Sequence, residues 1–192
     1  YNSFENRTLS DEQCRGLLSL DYDNDGVLDV VTWNDDEIGL WRGLADATFE
    51  KADILLSQVR GVHSIDVADV DGDGDLDFAC AGETGVVLFE NKGGNSHHWL
   101  DVSLEAQQIK GAEFSASGRV NAHGIGSLLE LKTAMRYQPR SVRRRTTHFG
   151  LGTQKAADVV RVYWLNGVPQ NIIEPAADLF LCEQQILLGS CP

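Results

Sequence analysis

The stretch that decides the fold reads GVHSIDVADVDGDGDLDFACA and occupies residues 61–81. It consists of an apolar run, an aspartate-rich loop and a second apolar run. Residues 15–33, RGLLSLDYDNDGVLDVVTW, repeat this order, and the two loops begin 48 positions apart, at Asp21 and Asp69. A period of this length is typical of a propeller blade built from several short strands, and it is too long for a leucine-rich repeat.

Each aspartate loop is followed by two further strand-like runs. They cover residues 27–33 and 38–42 in the first repeat, and residues 76–81 and 86–90 in the second. Runs rich in Val, Leu, Phe and Trp and bounded by Gly, Asn and Asp indicate strands joined in hairpins. Residues 1–94 are therefore predicted to form two blades. Because a closed propeller needs about four to eight blades, this propeller is incomplete.

The second half of the chain has a different pattern. Residues 92–96, KGGNS, read as a linker because they contain two glycines and no apolar residue. Alternating apolar and polar residues then recur at 99–104, 126–132, 159–164 and 180–188, with turn signals between them. Such short, punctuated strands predict a β-sandwich-like domain over residues 95–192. The predicted fold class is all-β.

Both loops fit the pattern D-x-D-x-D-G-x-x-D. Calcium takes about six to eight oxygen ligands in flexible geometry, and a tightly wound loop turns alternate side chains toward one ion. Glycine at position six permits the sharp turn, and position seven offers a backbone carbonyl. We therefore expect two calcium sites, with Asp21, Asp23, Asp25, Val27 and Asp29 as ligands of the first and Asp69, Asp71, Asp73, Asp75 and Asp77 as ligands of the second.

Two other loop types open in the same way. An EF-hand needs an acidic residue at position twelve and flanking helices. Position twelve is Thr32 in one loop and Cys80 in the other, and the segment VLDVVTW after Gly26 has the composition of a strand. The same absence argues against a dockerin. Magnesium is disfavoured because it keeps several waters and seldom uses an all-protein cage.

The composition is acidic, with 29 Asp and Glu against 16 Lys and Arg and a formal net charge of −13. This balance argues against nucleic acid, because each phosphate contact needs a cation. Nine of the acidic residues lie in the two loops, where a bound dication would offset their mutual repulsion. No run of 18 apolar residues occurs, so the sequence predicts no membrane span.

Cysteines and arginines give weaker signals. Cys182 and Cys191 are close enough in sequence to form a disulfide across a terminal turn, and Cys80 is expected to be a buried free thiol. The basic run in this acidic chain is predicted either to dock onto an anionic partner or to be a solvated loop, and it consists of Arg140, Arg143, Arg144 and Arg145. No nucleophile elbow or phosphate loop occurs, so no enzymatic activity is predicted.

These residues carry a family resemblance. The segment HSIDVADVDGDGDLDF at 63–78 and the turn LADATFEKAD at 44–53 resemble FG-GAP or VCBS-type repeats, the blades of integrin-α-like propellers. The second half resembles the ASPIC/UnbV domain, which follows such repeats in cartilage acidic protein and related bacterial secreted proteins. The matching segments are NSHHWLDVSL at 95–104, NAHGIGSLLEL at 121–131, HFGLGT at 148–153 and ADVVRVYWLNGVPQNI at 157–172.

The resemblance implies a secreted protein, located outside the cell or at its surface, or in the periplasm of a bacterium. It implies a calcium-binding, non-enzymatic adhesion or binding module whose partner is an unidentified protein or glycan. The alternatives are a structural subunit of a surface assembly or filament, self-associated through its repeat edges, and an accessory domain of a polysaccharide-active enzyme. Because the family has more blades, we expect a fragment or an unusually short relative.

Overall fold

The computed structural model describes residues 8–9, 13–52, 59–93, 96–106, 121–134 and 136–186. These residues form fourteen β-strands and no α-helix, which confirms the prediction of an all-β fold. No helix in the described ranges is both long and apolar enough to cross a membrane. Backbone contacts divide the chain into two units: Tyr1–Asp23 with Val27–Gly94, and Asn24–Gly26 with Asn95–Pro192.

The first unit contains two antiparallel sheets whose strands pair in chain order. One sheet has four strands, β1 to β4, and the other has three, β5 to β7. Consecutive pairing of this kind is typical of propeller blades, and an aspartate loop joins the first two strands of each sheet. The strands are β1 (Gly16–Leu20), β2 (Asp29–Trp33), β3 (Ile38–Gly43), β4 (Phe49–Lys51), β5 (Ser64–Ala68), β6 (Asp77–Gly82) and β7 (Gly85–Phe89).

The inner strands of these sheets supply the core of the first unit. Val31 on β2, Leu40 on β3 and Phe78 on β6 are buried in one cluster with Val59 and Val62. Burial of each such side chain contributes about 1.5–3 kcal/mol. Since β2 and β6 begin directly after the aspartate loops, this core fixes the closing end of each loop.

The turn before β4 lies in the segment LADATFEKAD, which contains no glycine. Asp46 Oδ1 accepts hydrogen bonds from the Thr48 backbone N–H at 3.0 Å and from the Thr48 hydroxyl at 2.5 Å. Ala47 adopts a left-handed backbone with φ of 62°. This conformation costs a non-glycine residue about 1–2 kcal/mol, which the hydrogen bonds of Asp46 help to offset.

The second unit is a β-sandwich. One sheet has the order β10-β9-β12-β13, and the other has the order β11-β8-β14, with β14 parallel to β8. Both sheets contribute to one core, which includes Leu100, Leu131, Phe149 and Val160. The strands are β8 (His98–Glu105), β9 (Leu128–Thr133), β10 (Arg136–Ser141), β11 (Thr146–Gly152), β12 (Val159–Tyr163), β13 (Pro169–Ile173) and β14 (Leu179–Gln184).

Candidate metal centres

Each aspartate loop brings three carboxylates together. Oxygens of Asp21, Asp23 and Asp29 lie within 4.8 Å of one another, and so do oxygens of Asp69, Asp71 and Asp77. These residues hold positions one, three and nine of the loop pattern. Calcium–oxygen distances are about 2.3–2.6 Å, so two oxygens on opposite sides of one ion lie about 5 Å apart. Both clusters can therefore hold a divalent cation.

The carboxylates at position five, Asp25 and Asp73, are not members of these two clusters. Asp25 Oδ1 lies 3.8 Å from Arg136 Nη1, and Asp73 Oδ1 accepts the backbone N–H of Asp75 at 3.0 Å. Val27 and Asp75 occupy position seven, where the predicted ligand is a backbone carbonyl. Three carboxylates supply fewer oxygens than calcium takes, so a bound ion would need further ligands.

Two left-handed residues shape each loop. Position four is Asn24 with φ of 58° in the first loop and Gly72 with φ of 79° in the second. Position six is Gly26 with φ of 83° and Gly74 with φ of 90°. Glycine adopts such angles without a Cβ penalty, and asparagine is the residue that tolerates them next best. A sharp turn was predicted at position six, and the left-handed backbone at position four was not predicted.

The closing aspartate of each loop is buried and accepts two backbone N–H groups. Asp29 Oδ2 accepts from Tyr22 at 2.8 Å and Oδ1 accepts from Gly43 at 2.8 Å. These bonds tie the start of the first loop to the end of β3. A carboxylate oxygen has a second lone pair, so these hydrogen bonds leave Asp29 able to contact a metal.

The second loop repeats this arrangement 48 positions later. Asp77 Oδ2 accepts from Val70 at 2.8 Å, and Oδ1 accepts from Asn91 at 2.8 Å. The first aspartate of this loop is held in a similar way, since Asp69 accepts the N–H groups of Gly72 at 2.7 Å and Gly74 at 3.0 Å. Carboxylates at positions one and nine are thus oriented by the backbone.

A cation of the protein lies against the carboxylate at position three in both loops. Arg42 Nε donates to Asp23 Oδ2 at 2.7 Å. Lys92 Nζ lies 3.0 Å from Asp71 Oδ2 and 3.0 Å from Glu90 Oε2. The hydrogen bond from Lys92 lowers the pKa of the Asp71 carboxyl, and the bonds to Glu90 and Asp71 raise the pKa of the Lys92 ammonium. A metal ion would compete with these cations.

Sequence reasoning missed the residues that surround the loops. Arg42 and Lys92 are the cations at position three, and Asn91 Nδ2 donates to the Tyr22 carbonyl of the first loop at 2.7 Å. A signal was present, because the 48-residue period continues through the pair Gly43 and Asn91. That pair lies beyond the strands that were used to recognise the repeat.

Within the second unit, two histidines have defined partners. His148 Nδ1 lies 2.8 Å from Asp101 Oδ1, and its Nε2 lies 2.6 Å from Asn24 Oδ1. His98 Nδ1 lies 2.7 Å from Asp178 Oδ2. Each of these two imidazoles contacts one carboxylate among the described residues, so the two arrangements are hydrogen-bonding networks rather than sites with several carboxylate ligands.

The cysteines differ in environment. Cys80 is a fully buried free thiol on β6, and burial raises its pKa to about 11. Cys182 lies exposed on β14. Cys191, its predicted disulfide partner, lies outside the described residues, so this pairing stays a prediction.

The structure separates Arg140 from the other arginines of the basic run. Arg143, Arg144 and Arg145 are exposed in the connection between β10 and β11. Arg140 lies on β10, with its guanidinium 5.5 Å from the ring centroid of Phe149 and its Nη2 donating to Gln138 Oε1 at 3.2 Å. Arg140 therefore packs against the sandwich, and the exposed run contains three consecutive arginines.

The two antiparallel sheets with equivalent acidic loops define a β-propeller-type repeat segment. Comparison with protein families agrees: a family described as an FG-GAP-like repeat matches residues 21–80. This match begins at the first aspartate of the first loop and includes the whole second loop. It supports the FG-GAP part of the predicted resemblance and does not reach residues 95–192, where the ASPIC/UnbV resemblance stays a prediction. No curated protein matches the chain.

Proposed function

We propose that this chain is an extracellular, non-enzymatic binding or adhesion module in which two calcium ions stabilise the repeat loops. The proposal rests on one observation: each of the two repeats brings three carboxylates together at the same three loop positions. Both loops lie within the FG-GAP-like match. Hard oxygen ligands in a flexible loop suit calcium better than softer metals, which prefer nitrogen or sulfur.

Electrostatics favour a dication over the cations that the protein supplies. Three carboxylates within about 5 Å of one another repel at every pair, and solvent screens that repulsion only in part. Arg42 or Lys92 brings one positive charge to one edge of each triad. A calcium ion would bring two charges to its centre and attract all three carboxylates at once.

Thermal unfolding with and without calcium tests the proposal. Calcium should raise the melting temperature of the wild-type chain, and EGTA should reverse the increase. A double variant, Asp21→Asn with Asp69→Asn, should lose this response, whereas Asp46→Asn, an exposed aspartate outside the loops, should keep it. An unchanged wild-type melting temperature on adding calcium would overturn the proposal.

A second candidate is a structural subunit that self-associates through repeat edges. Its supporting observation is that the edge strands β1 and β7 expose Leu17 at 67%, Val86 at 77% and Leu88 at 45%. Unprotected strand edges with apolar side chains tend to pair with other chains. Sedimentation velocity distinguishes the candidates: concentration-dependent oligomers that are lost in Val86→Lys favour the subunit, and a monomer at all concentrations excludes it.

The proposed location and the absence of catalysis rest on the family resemblance and on the missing catalytic motifs. The remaining alternative is an accessory domain of a polysaccharide-active enzyme. It differs from an adhesion module in its partner and has the same calcium sites. Both readings predict that the full chain releases no reducing ends from soluble polysaccharides, so hydrolysis in this assay would contradict the proposed absence of catalysis.

A further inference from the structure

One face of the four-stranded sheet in the second unit carries only half-buried and exposed side chains. On the inner face, Leu131 of β9 and Val160 of β12 point into the core. Successive side chains of a strand point to opposite faces, so the residues next to these two point outward. Strand register aligns these outward residues in three rows across the sheet, and none of them is buried. This outward face consists of Tyr137, Lys132, Val159 and Ile173, then Pro139, Glu130, Arg161 and Asn171, then Ser141, Leu128, Tyr163 and Pro169.

Hydrogen bonds and one ion pair link polar side chains of all four strands at the centre of the outward face. The Tyr137 hydroxyl donates to Glu130 Oε1 at 2.5 Å, and Glu130 Oε2 lies 4.0 Å from Arg161 Nη1. Arg161 Nε donates to Asn171 Oδ1 at 2.8 Å, and Nη1 donates to the Tyr163 hydroxyl at 3.3 Å. These contacts hold the central polar groups in fixed positions.

Arg161 keeps donors for a ligand. A guanidinium has five N–H donors, and in the described part of the chain its Nη2 makes no hydrogen bond. Its side chain is 43% exposed. Because a guanidinium matches the geometry of a carboxylate or sulfate group, Arg161 is suited to contact an anionic ligand.

The residues around Arg161 indicate a ligand that is both polar and ring-shaped. Tyr137 is 58% exposed, and the Arg161 guanidinium lies 5.9 Å from the Tyr163 ring centroid. Tyrosines offer an apolar ring face together with a polar hydroxyl. The core of a protein–protein interface is usually depleted of charge, whereas this face has Glu130 and Arg161 at its centre. Sugar rings, with hydroxyls at their edges and apolar faces, fit this surface better than a protein does.

The charge distribution selects an acidic ligand. Residues 1–94 contain 21 Asp and Glu against 6 Lys and Arg, whereas residues 95–192 contain 8 against 10. On the outward face itself, Lys132 and Arg161 are basic and Glu130 is acidic. Arg143, Arg144 and Arg145 follow Ser141 at the end of the third row. An excess of positive charge at and beside this face attracts anions to it.

We propose that the outward face binds an acidic polysaccharide, with Arg161 contacting its carboxylate or sulfate groups and Tyr137 and Tyr163 contacting its sugar rings. This inference rests on the proposed function as a binding module, and it assigns the binding surface and the class of partner. Arg143 to Arg145 extend the surface along the polymer, so binding should weaken as salt screens the charges.

Biolayer interferometry on immobilised polysaccharides tests the proposal. The probes are polygalacturonate, which is carboxylated, heparin, which is sulfated, and dextran, which is neutral. The full chain should bind at least one acidic probe and not dextran, and 0.5 M salt should reduce the affinity at least tenfold. EGTA is present throughout because calcium itself gels polygalacturonate.

Single substitutions locate the contact. Arg161→Gln and Tyr137→Ala should each lower the affinity about tenfold. Lys155→Gln removes the same charge from an exposed position in the same unit and should leave the affinity within twofold of wild type. Circular dichroism checks that each variant is folded. If one of them unfolds, Lys132→Gln, at an exposed position of the outward face, replaces it, and its affinity should fall about threefold.

Several outcomes would overturn this assignment. Equal binding to dextran or no binding to either acidic probe would contradict the ligand class. An unchanged affinity in folded Arg161→Gln would contradict the contact. Loss of a dimer in Arg161→Gln would make the outward face an interface between copies of the chain. Calcium-dependent melting without polysaccharide binding would refute this inference and leave the proposed calcium function intact. Polysaccharide binding without calcium-dependent melting would refute the proposed calcium function and leave this inference intact.

Discussion

Asp29 and Asp77 lie 48 positions apart and accept equivalent pairs of backbone hydrogen bonds. Tyr22 and Gly43 donate to Asp29, and their counterparts Val70 and Asn91 donate to Asp77. Both aspartates are almost completely buried, at 0% and 1% exposure. The ninth loop position therefore stabilises the repeat itself, in addition to its predicted role as a metal ligand.

Replacing Asp77 should destabilise the protein even when calcium is absent. Asp77→Ala leaves the N–H groups of Val70 and Asn91 without their acceptor, and each lost charged hydrogen bond is worth about 1.5–3 kcal/mol. We expect the free energy of unfolding to fall by about 3 kcal/mol in EGTA, measured by urea denaturation. Asp73→Ala should cost less than about 1 kcal/mol under the same conditions. Equal losses in the two variants would show that Asp77 has no structural role beyond that of Asp73.

Removing a competing cation should strengthen metal binding. Lys92 lies 3.0 Å from Asp71, so a calcium ion at the second loop must displace or outweigh its ammonium. Lys92→Met should raise the calcium affinity of this loop about threefold to tenfold in isothermal titration calorimetry. Lys51→Met, which removes the exposed pair with Glu37, should have no effect. An affinity that falls in Lys92→Met would mean that Lys92 supports the metal site.

The fourth loop position should accept asparagine in place of glycine. Gly72 has φ of 79°, and a Cβ added there would meet no atom within 4 Å. Asn24 adopts φ of 58° at the equivalent position. Gly72→Asn should therefore change the free energy of unfolding by less than about 0.5 kcal/mol. Gly72→Val should cost about 1–2 kcal/mol or more, because a branched side chain opposes the left-handed backbone. Similar losses in both would contradict this assignment of strain.

Cys80 should make stability fall at alkaline pH. Burial raises the folded pKa of the Cys80 thiol to about 11, above its ordinary value of 9.0, so the unfolded chain ionises first as pH rises. The stabilisation from Cys80 is complete below pH 9 and is lost between about pH 9 and 11, by at most about 3 kcal/mol. Cys80→Ala, although less stable at neutral pH, should show a smaller decline over this range. A parallel decline would exclude the buried thiol as its cause.

The all-β class and the consecutive strands around each aspartate loop could be predicted, because local sequence determines them. Alternation of apolar and polar residues around Val31 and Val160 distinguishes a buried strand face from an exposed one. The aspartate loops mark the connection between the first two strands of each blade. Two carboxylate triads were likewise predictable from spacing. The partners of position five were not predictable, because the contacts of Asp25 and Asp73 depend on tertiary structure or on the local path of the loop.

The basic run shows the same limit. Arg140 is adjacent in sequence to the exposed arginines, yet strand register turns it toward Phe149. Conversely, Tyr137, Glu130 and Arg161 are separated in sequence and become neighbours only through the pairing of β9 with β10 and β12. A surface assembled across strands has no local spacing signature, so the outward face was not visible in the sequence.

Calcium titration calorimetry of the wild-type chain tests the central claim most directly. The account predicts two calcium ions bound per chain, one in Asp69→Asn and none in the double variant Asp21→Asn with Asp69→Asn, with magnesium binding much more weakly. Absence of calcium binding to the folded wild-type chain, or an unchanged stoichiometry in the double variant, would contradict it.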